Sequence, residues 1–142
     1  MAVIYPDSQV TATSNIKEVK VKSIRLLNTD FVTGGTASVK AVLPSYASIM
    51  AFGVWTKTKL SGGSVSAATL SIGVSGAATQ FVNALDALTP NSGAFAFAAA
   101  VTNTHQAYAA PAGGDISLLF TGTATTGNPT AGEIYVDIYY VE

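Results

Sequence analysis

Cysteine is absent from the 142-residue chain, which excludes a disulfide framework and any thiolate metal site. His105 is the only histidine. Nucleophilic catalysis sets a base beside its nucleophile, and zinc sites draw on several imidazoles, thiolates or carboxylates, so a lone ring supports neither by itself. Charge is scarce as well: Asp, Glu, Lys and Arg make up 11% of the residues, against about 25% in an ordinary domain. No apolar run approaches the roughly 20 residues of a membrane helix. Met1 to Pro6 lack a basic stretch followed by an apolar one, which argues against a secretory signal. Gly-x-Ser-x-Gly is missing, and Gly73-Val74-Ser75-Gly76 has a different spacing that reads as a strand end. The three glycine pairs are not followed by the Lys and helix of a phosphate loop, and no calcium loop of the Asp-x-Asp-x-Asp kind occurs. The expectation is a protein without catalytic residues, cofactor or metal.

With so few charges, the solvated surface falls to Ser, Thr, Asn, Gly and Ala. Such a surface is cheaper to desolvate than one of Lys and Glu, which favours lasting contacts with neighbours. The charges are also segregated. Seven bases (Lys17, Lys20, Lys22, Arg25, Lys40, Lys57, Lys59) and three acids precede residue 60, a net of +4, whereas five acids (Asp86, Asp115, Glu133, Asp137, Glu142) and no base follow, a net of −5. In a sandwich the two halves interleave in space, so this segregation need not become a dipole.

The hydrophobic pattern is that of strands. Val39, Ala41 and Leu43 alternate; Met50, Phe52 and Val54 oppose Trp55, Lys57 and Lys59; Leu70, Ile72 and Val74 oppose Thr69, Ser71 and Gly73. Phe95 and Phe97 repeat at period two, as do Ile116, Leu118 and Phe120. In the last run Ile134, Val136, Ile138 and Tyr140 oppose Tyr135, Asp137 and Tyr139. Between Val19-Val21 and Ile24-Leu26 the apolar phase shifts, which predicts a bulge near Lys22 and Ser23 or two short strands meeting there. Thr33-Gly34-Gly35-Thr36 predicts a turn, and 77–88 fits either a helical turn or an irregular strand. About eight short strands with no long helical period predict an all-β, antiparallel sandwich, a jelly roll, occupying residues 16–142 as one soluble domain behind an extended arm at 1–15.

Few residues invite a chemical role. His105 sits among Asn103, Thr104 and Gln106 and reads as a loop residue, and a triad with Asp115 has no supporting spacing. Asp86, Asp115, Glu133 and Asp137 are the acids from which a glycosidase pair would have to come, yet they read as surface carboxylates. Lys17, Lys20, Lys22 and Arg25 form a basic segment, but the overall charge of −1 and the lack of an RNA-binding aromatic motif argue against nucleic acid. With Tyr5 in the arm, this segment is a candidate for docking on an acidic protein lattice. Trp55, Tyr135 and Tyr139 fall on outward strand faces and are candidates for self-association, since aromatics are enriched at interfaces. The alternative is a two-sided strand covered by its own chain.

Leu43-Pro44 before a strand, Ala68-Thr69-Leu70-Ser71-Ile72-Gly73, Gln80-Phe81-Val82-Asn83-Ala84 and the terminal Thr130-Ala131-Gly132-Glu133-Ile134-Tyr135-Val136-Asp137-Ile138-Tyr139-Tyr140 resemble small structural proteins encoded beside the capsid genes of tailed phages. The resemblance spans roughly residues 38 to 141. It implies a head decoration, or cement, protein: a jelly roll that binds the major capsid protein where capsomers meet, as a homotrimer on the virion surface, after synthesis in the bacterial cytoplasm. The same phrases fit a tail, head-fibre or receptor module, in which Trp55 or Tyr108 would meet a glycan.

Overall fold

The computed structural model describes residues 18–98, 108–109 and 114–142. Ten strands follow one another: β1 (Val19–Leu27), β2 (Phe31–Thr33), β3 (Thr36–Leu43), β4 (Ser48–Ser61), β5 (Ala67–Val74), β6 (Ala77–Asp86), β7 (Phe95–Ala98), β8 (Tyr108–Ala109), β9 (Ile116–Thr125) and β10 (Ala131–Val141), with one short 3-10 turn at Asn28–Asp30. The arm expected at 1–15 and His105 lie outside the described residues.

One sheet runs β1, β10, β4, with β7 and β8 sharing the far edge of β4; the other runs β3, β9, β5, β6, with β2 beside β3 on the same edge of β9. Every ladder is antiparallel except the three-residue pairing of β2 with β9. With β2 set aside and β7 and β8 taken as a single edge, eight strands remain. The first pairs with the last, the second with the seventh, the third with the sixth and the fourth with the fifth. That nesting is the jelly roll the alternation predicts.

The two sheets bury one core. Phe52 and Val54 on β4 and Ile134, Val136 and Ile138 on β10 face Leu70 and Ile72 on β5, Phe81 on β6 and Leu118 and Phe120 on β9. Phe52 and Phe81 meet across the layers, with ring centroids 5.6 Å apart. Phe81 apart, these are the residues the period-two pattern selects, because alternate side chains of a strand point to one face.

Two local expectations resolve differently, and one left open is decided. No bulge interrupts β1: its register to β10 is unbroken from Val19 opposite Val141 to Leu27 opposite Glu133. The phase change arises because Val19 and Val21 point outward and stay about half exposed, at 55% and 52%, while Lys20 and Lys22 share the inward face of Ile24 and Leu26. A register shift does occur at Met50. Tyr139 lies opposite Ala51 and Tyr140 opposite Ile49, so Met50 is the extra residue; it is 52% exposed, whereas Ile49 turns to the core. Met50 therefore leaves the row of Phe52 and Val54. The segment 77–88, open between helix and strand, is a strand to Asp86, with shifts in its register and Ala84 at a φ of 49°. The turn at Thr33-Gly34-Gly35-Thr36 forms as expected, with the Gly35 N–H donating to the Val32 carbonyl.

Candidate functional site

The carboxylates serve turns and ladders. Asp86 closes β6 by accepting the amides of Leu88 and Thr89, at 3.0 and 3.1 Å. The Thr89 side chain, followed by those amides, holds its carboxyl below the usual range. Asp137 accepts the Ser23 hydroxyl across the β1–β10 ladder, and Asp115 is exposed just before β9. Among the described residues no three of His, Asp or Glu gather as a metal site would require.

The basic segment divides between two faces. Lys20 and Lys22 point inward beyond the end of the core: the Lys20 ammonium meets the Glu142 carboxylate, and that of Lys22 donates to the Val42 carbonyl on β3. Arg25 points outward and donates through Nε to Glu133. Lys17 and Tyr5 lie outside the described residues.

On the outer face of the first sheet the strand registers align side chains into rows. Arg25, Tyr135, Trp55 and Phe95 stand side by side across β1, β10, β4 and β7. The next row is Ser23, Asp137 and Gly53; then come Val21, Tyr139 and Ala51; Val19 pairs with Val141 beyond them. Trp55 and Tyr135 are stacked, with centroids 5.7 Å apart and planes at 29°. Gly53 is needed beneath its neighbours. A Cβ there would sit 3.0 Å from the Phe95 ring and 3.4 Å from that of Tyr139, so both rings lie over the glycine. Trp55 and Phe95 remain 40% and 53% exposed. Together with Val19 and Val21 they make an apolar face on the sheet, of the sort that marks an interaction site.

One carboxylate is shared by two cations beside that face. Glu133 accepts from Arg25 Nε at 2.6 Å and from the Tyr135 hydroxyl at 2.7 Å, and lies 3.6 Å from the Lys57 ammonium. Arg25 first, then Tyr135, hold its carboxyl below the usual range. Lys57 also lies over the Tyr135 ring, 5.9 Å from its centroid. An aromatic face whose neighbouring charges are already paired can be covered with little further desolvation cost.

Trp55, Tyr135 and Tyr139 are thus brought onto one surface, as their outward phase predicts. Phe95, Gly53, Val19 and Val21 complete it and were not singled out. Phe95 was legible only as a period-two repeat, and the two valines were obscured by the apparent phase change in β1.

No protein-family model and no characterised protein matches the chain by sequence. Solved structures do match by shape. A chain from the Cyanophage Pam1 capsid asymmetric unit superposes with a TM-score of 0.63 at 22% identity, covering 88% of this chain and 85% of that one. A chain from the capsid of Ralstonia phage GP4 gives 0.56 at 16% identity, covering 90% and 87%. At these identities the likeness is one of fold, and the fold this chain shares is one that phage capsid structures contain.

Proposed function

We propose that this chain is a non-enzymatic phage structural protein that decorates the head: a cement protein that binds the major capsid protein at capsomer junctions as a homotrimer, on the virion surface, after synthesis in the host cytoplasm. The observation that carries the reading is the outer face of the first sheet, where Trp55, Tyr135, Tyr139 and Phe95 lie together with their neighbouring charges satisfied internally. The shared fold of the two phage capsid chains supports it, and so does the charge-poor composition. Cement acts by adding contacts that must break before the lattice opens, and several weak contacts held in one oligomer act together through effective concentration. In this reading the arm at 1–15 and the basic segment meet the shell while the aromatic face meets a neighbouring copy. A glycan-binding module is the second reading. The Trp55 and Tyr135 rings turn their faces toward each other, which suits protein contact better than stacking on a sugar.

Native mass and co-purification with particles test the proposal on the wild-type chain and on Trp55→Asp and Tyr139→Asp, with near-UV circular dichroism as the check on folding. The expected result is a particle-bound oligomer for the wild type and folded, monomeric variants. A wild-type chain that stays monomeric at high concentration and is missing from particles overturns it.

A further inference from the structure

The space between the sheets is not filled evenly. Val54 and Thr56 on β4 and Ile134 on β10 are buried and point toward the second sheet. Beside them, Ala96 is registered opposite Val54, Ala94 precedes β7, and Ala87 follows β6. Methyl groups cannot span sheets that pack about 10 Å apart. Beneath them lies a cavity of about 160 Å³, partly open to solvent, walled by Val54, Leu85, Ala87, Ala94, Ala96 and Ile134 and bordered by Pro90 and Phe95.

The segment covering this space is pinned and cannot settle into it. Ala87 N–H donates to Ala68 O on β5, Gly93 N–H donates to Thr56 O, and Thr56 N–H donates to Ala94 O, at 2.8, 2.6 and 2.8 Å. Both ends of the covering segment are thereby tied, one to each sheet.

Two polar side chains reach the wall, Thr56 and Asp86. The Asp86 carboxylate is already engaged by the amides of Leu88 and Thr89. Walls so largely apolar offer water few polar partners, and an apolar cavity of roughly 150 Å³ is large enough to take up benzene or xenon.

We propose that this cavity between β4, β7 and the end of β6 is a binding site for a compact apolar molecule the size of one aromatic ring. The inference does not depend on the assembly reading: Phe95 borders both places, but the other walls of the cavity lie between the layers and the rest of the aromatic face lies outside them.

Benzene titrated into the ¹⁵N-labelled full-length chain is the test. The amides of Thr56, Ala87, Ala94 and Ile134 are expected to shift saturably. Tm is expected to rise by roughly 4 °C at ten times Kd. Ala96→Leu fills the space, so it should raise Tm without ligand and abolish the response; Ala94→Val serves the same purpose if that variant fails to fold. Xenon, read by ¹²⁹Xe exchange on the wild type, gives a second measure that needs no variant. Absence of saturable shifts in the wild type overturns the proposal. So do shifts confined to Val19, Val21 and Trp55, which would place benzene on the outer face, and an undiminished response in a folded Ala96→Leu.

Discussion

Gly122 stands where two strands converge on one edge of β9. Phe31 of β2 and Thr36 of β3 are both registered opposite it, and a Cβ at this position would lie 2.3 Å from the Asp30 carbonyl oxygen and 2.9 Å from the Phe31 ring. The obstacle is backbone, which cannot swing aside as a flexible side chain can. Gly122→Ala should therefore lower stability by about 2–3 kcal/mol, the range for forcing a group into a packed site. Gly34 is the contrast: at a φ of +85° its Cβ would meet nothing within 4 Å, so Gly34→Ala carries only the left-handed backbone cost of about 1–2 kcal/mol. Urea unfolding of both variants checks the pair, and equal midpoints would show that close approach at Gly122 is not what demands glycine.

At the scale of elements, Glu133 on β10 ties three strands together: Arg25 is on β1, Lys57 on β4 and Tyr135 on β10 itself. Its carboxyl titrates below its ordinary 4.5, so the folded state favours the ionised form. That contribution is complete above about pH 4.5 and is lost as the pH falls through the lowered value. Glu133→Gln removes it at every pH. Thermal melts between pH 7 and 3 should show a stability gap between wild type and variant that narrows below about pH 4.5, and parallel curves would remove Glu133 from this role. The same elements show what the sequence conveyed. Alternation identified the inward rows of β5, β9 and β10, because burial on one face imposes period two. It misjudged β1 and Met50, because an outward Val and a bulged Met are both apolar residues in the wrong phase, and only the partner strand's register separates the two cases. The aromatic face was half legible for a related reason. Trp55, Tyr135 and Tyr139 announce themselves by type and phase, but their contact with Phe95 over Gly53 depends on which strands lie side by side.

Across the whole molecule, the pairing of β10 with β1 and β4 offsets part of the charge segregation of the sequence. Lys20 meets Glu142, and Arg25 and Lys57 meet Glu133, so three bases from before residue 60 sit against two acids from after it. With part of the charge paired inside the chain, the proposed contact between copies is expected to come mainly from the apolar face. Electrostatic attraction between exposed groups is screened beyond a Debye length of about 10 Å at 0.1 M salt and about 3 Å at 1 M, whereas apolar burial is undiminished by such salt and strengthened by sulfate. Sedimentation of the wild-type chain in about 50 mM and 500 mM NaCl separates the two origins. A self-association constant that holds or tightens at the higher salt agrees with contact through Trp55, Tyr139 and their neighbours, while a tenfold weakening would assign the contact to charge and move the interface to the residues around Lys20 and Lys22.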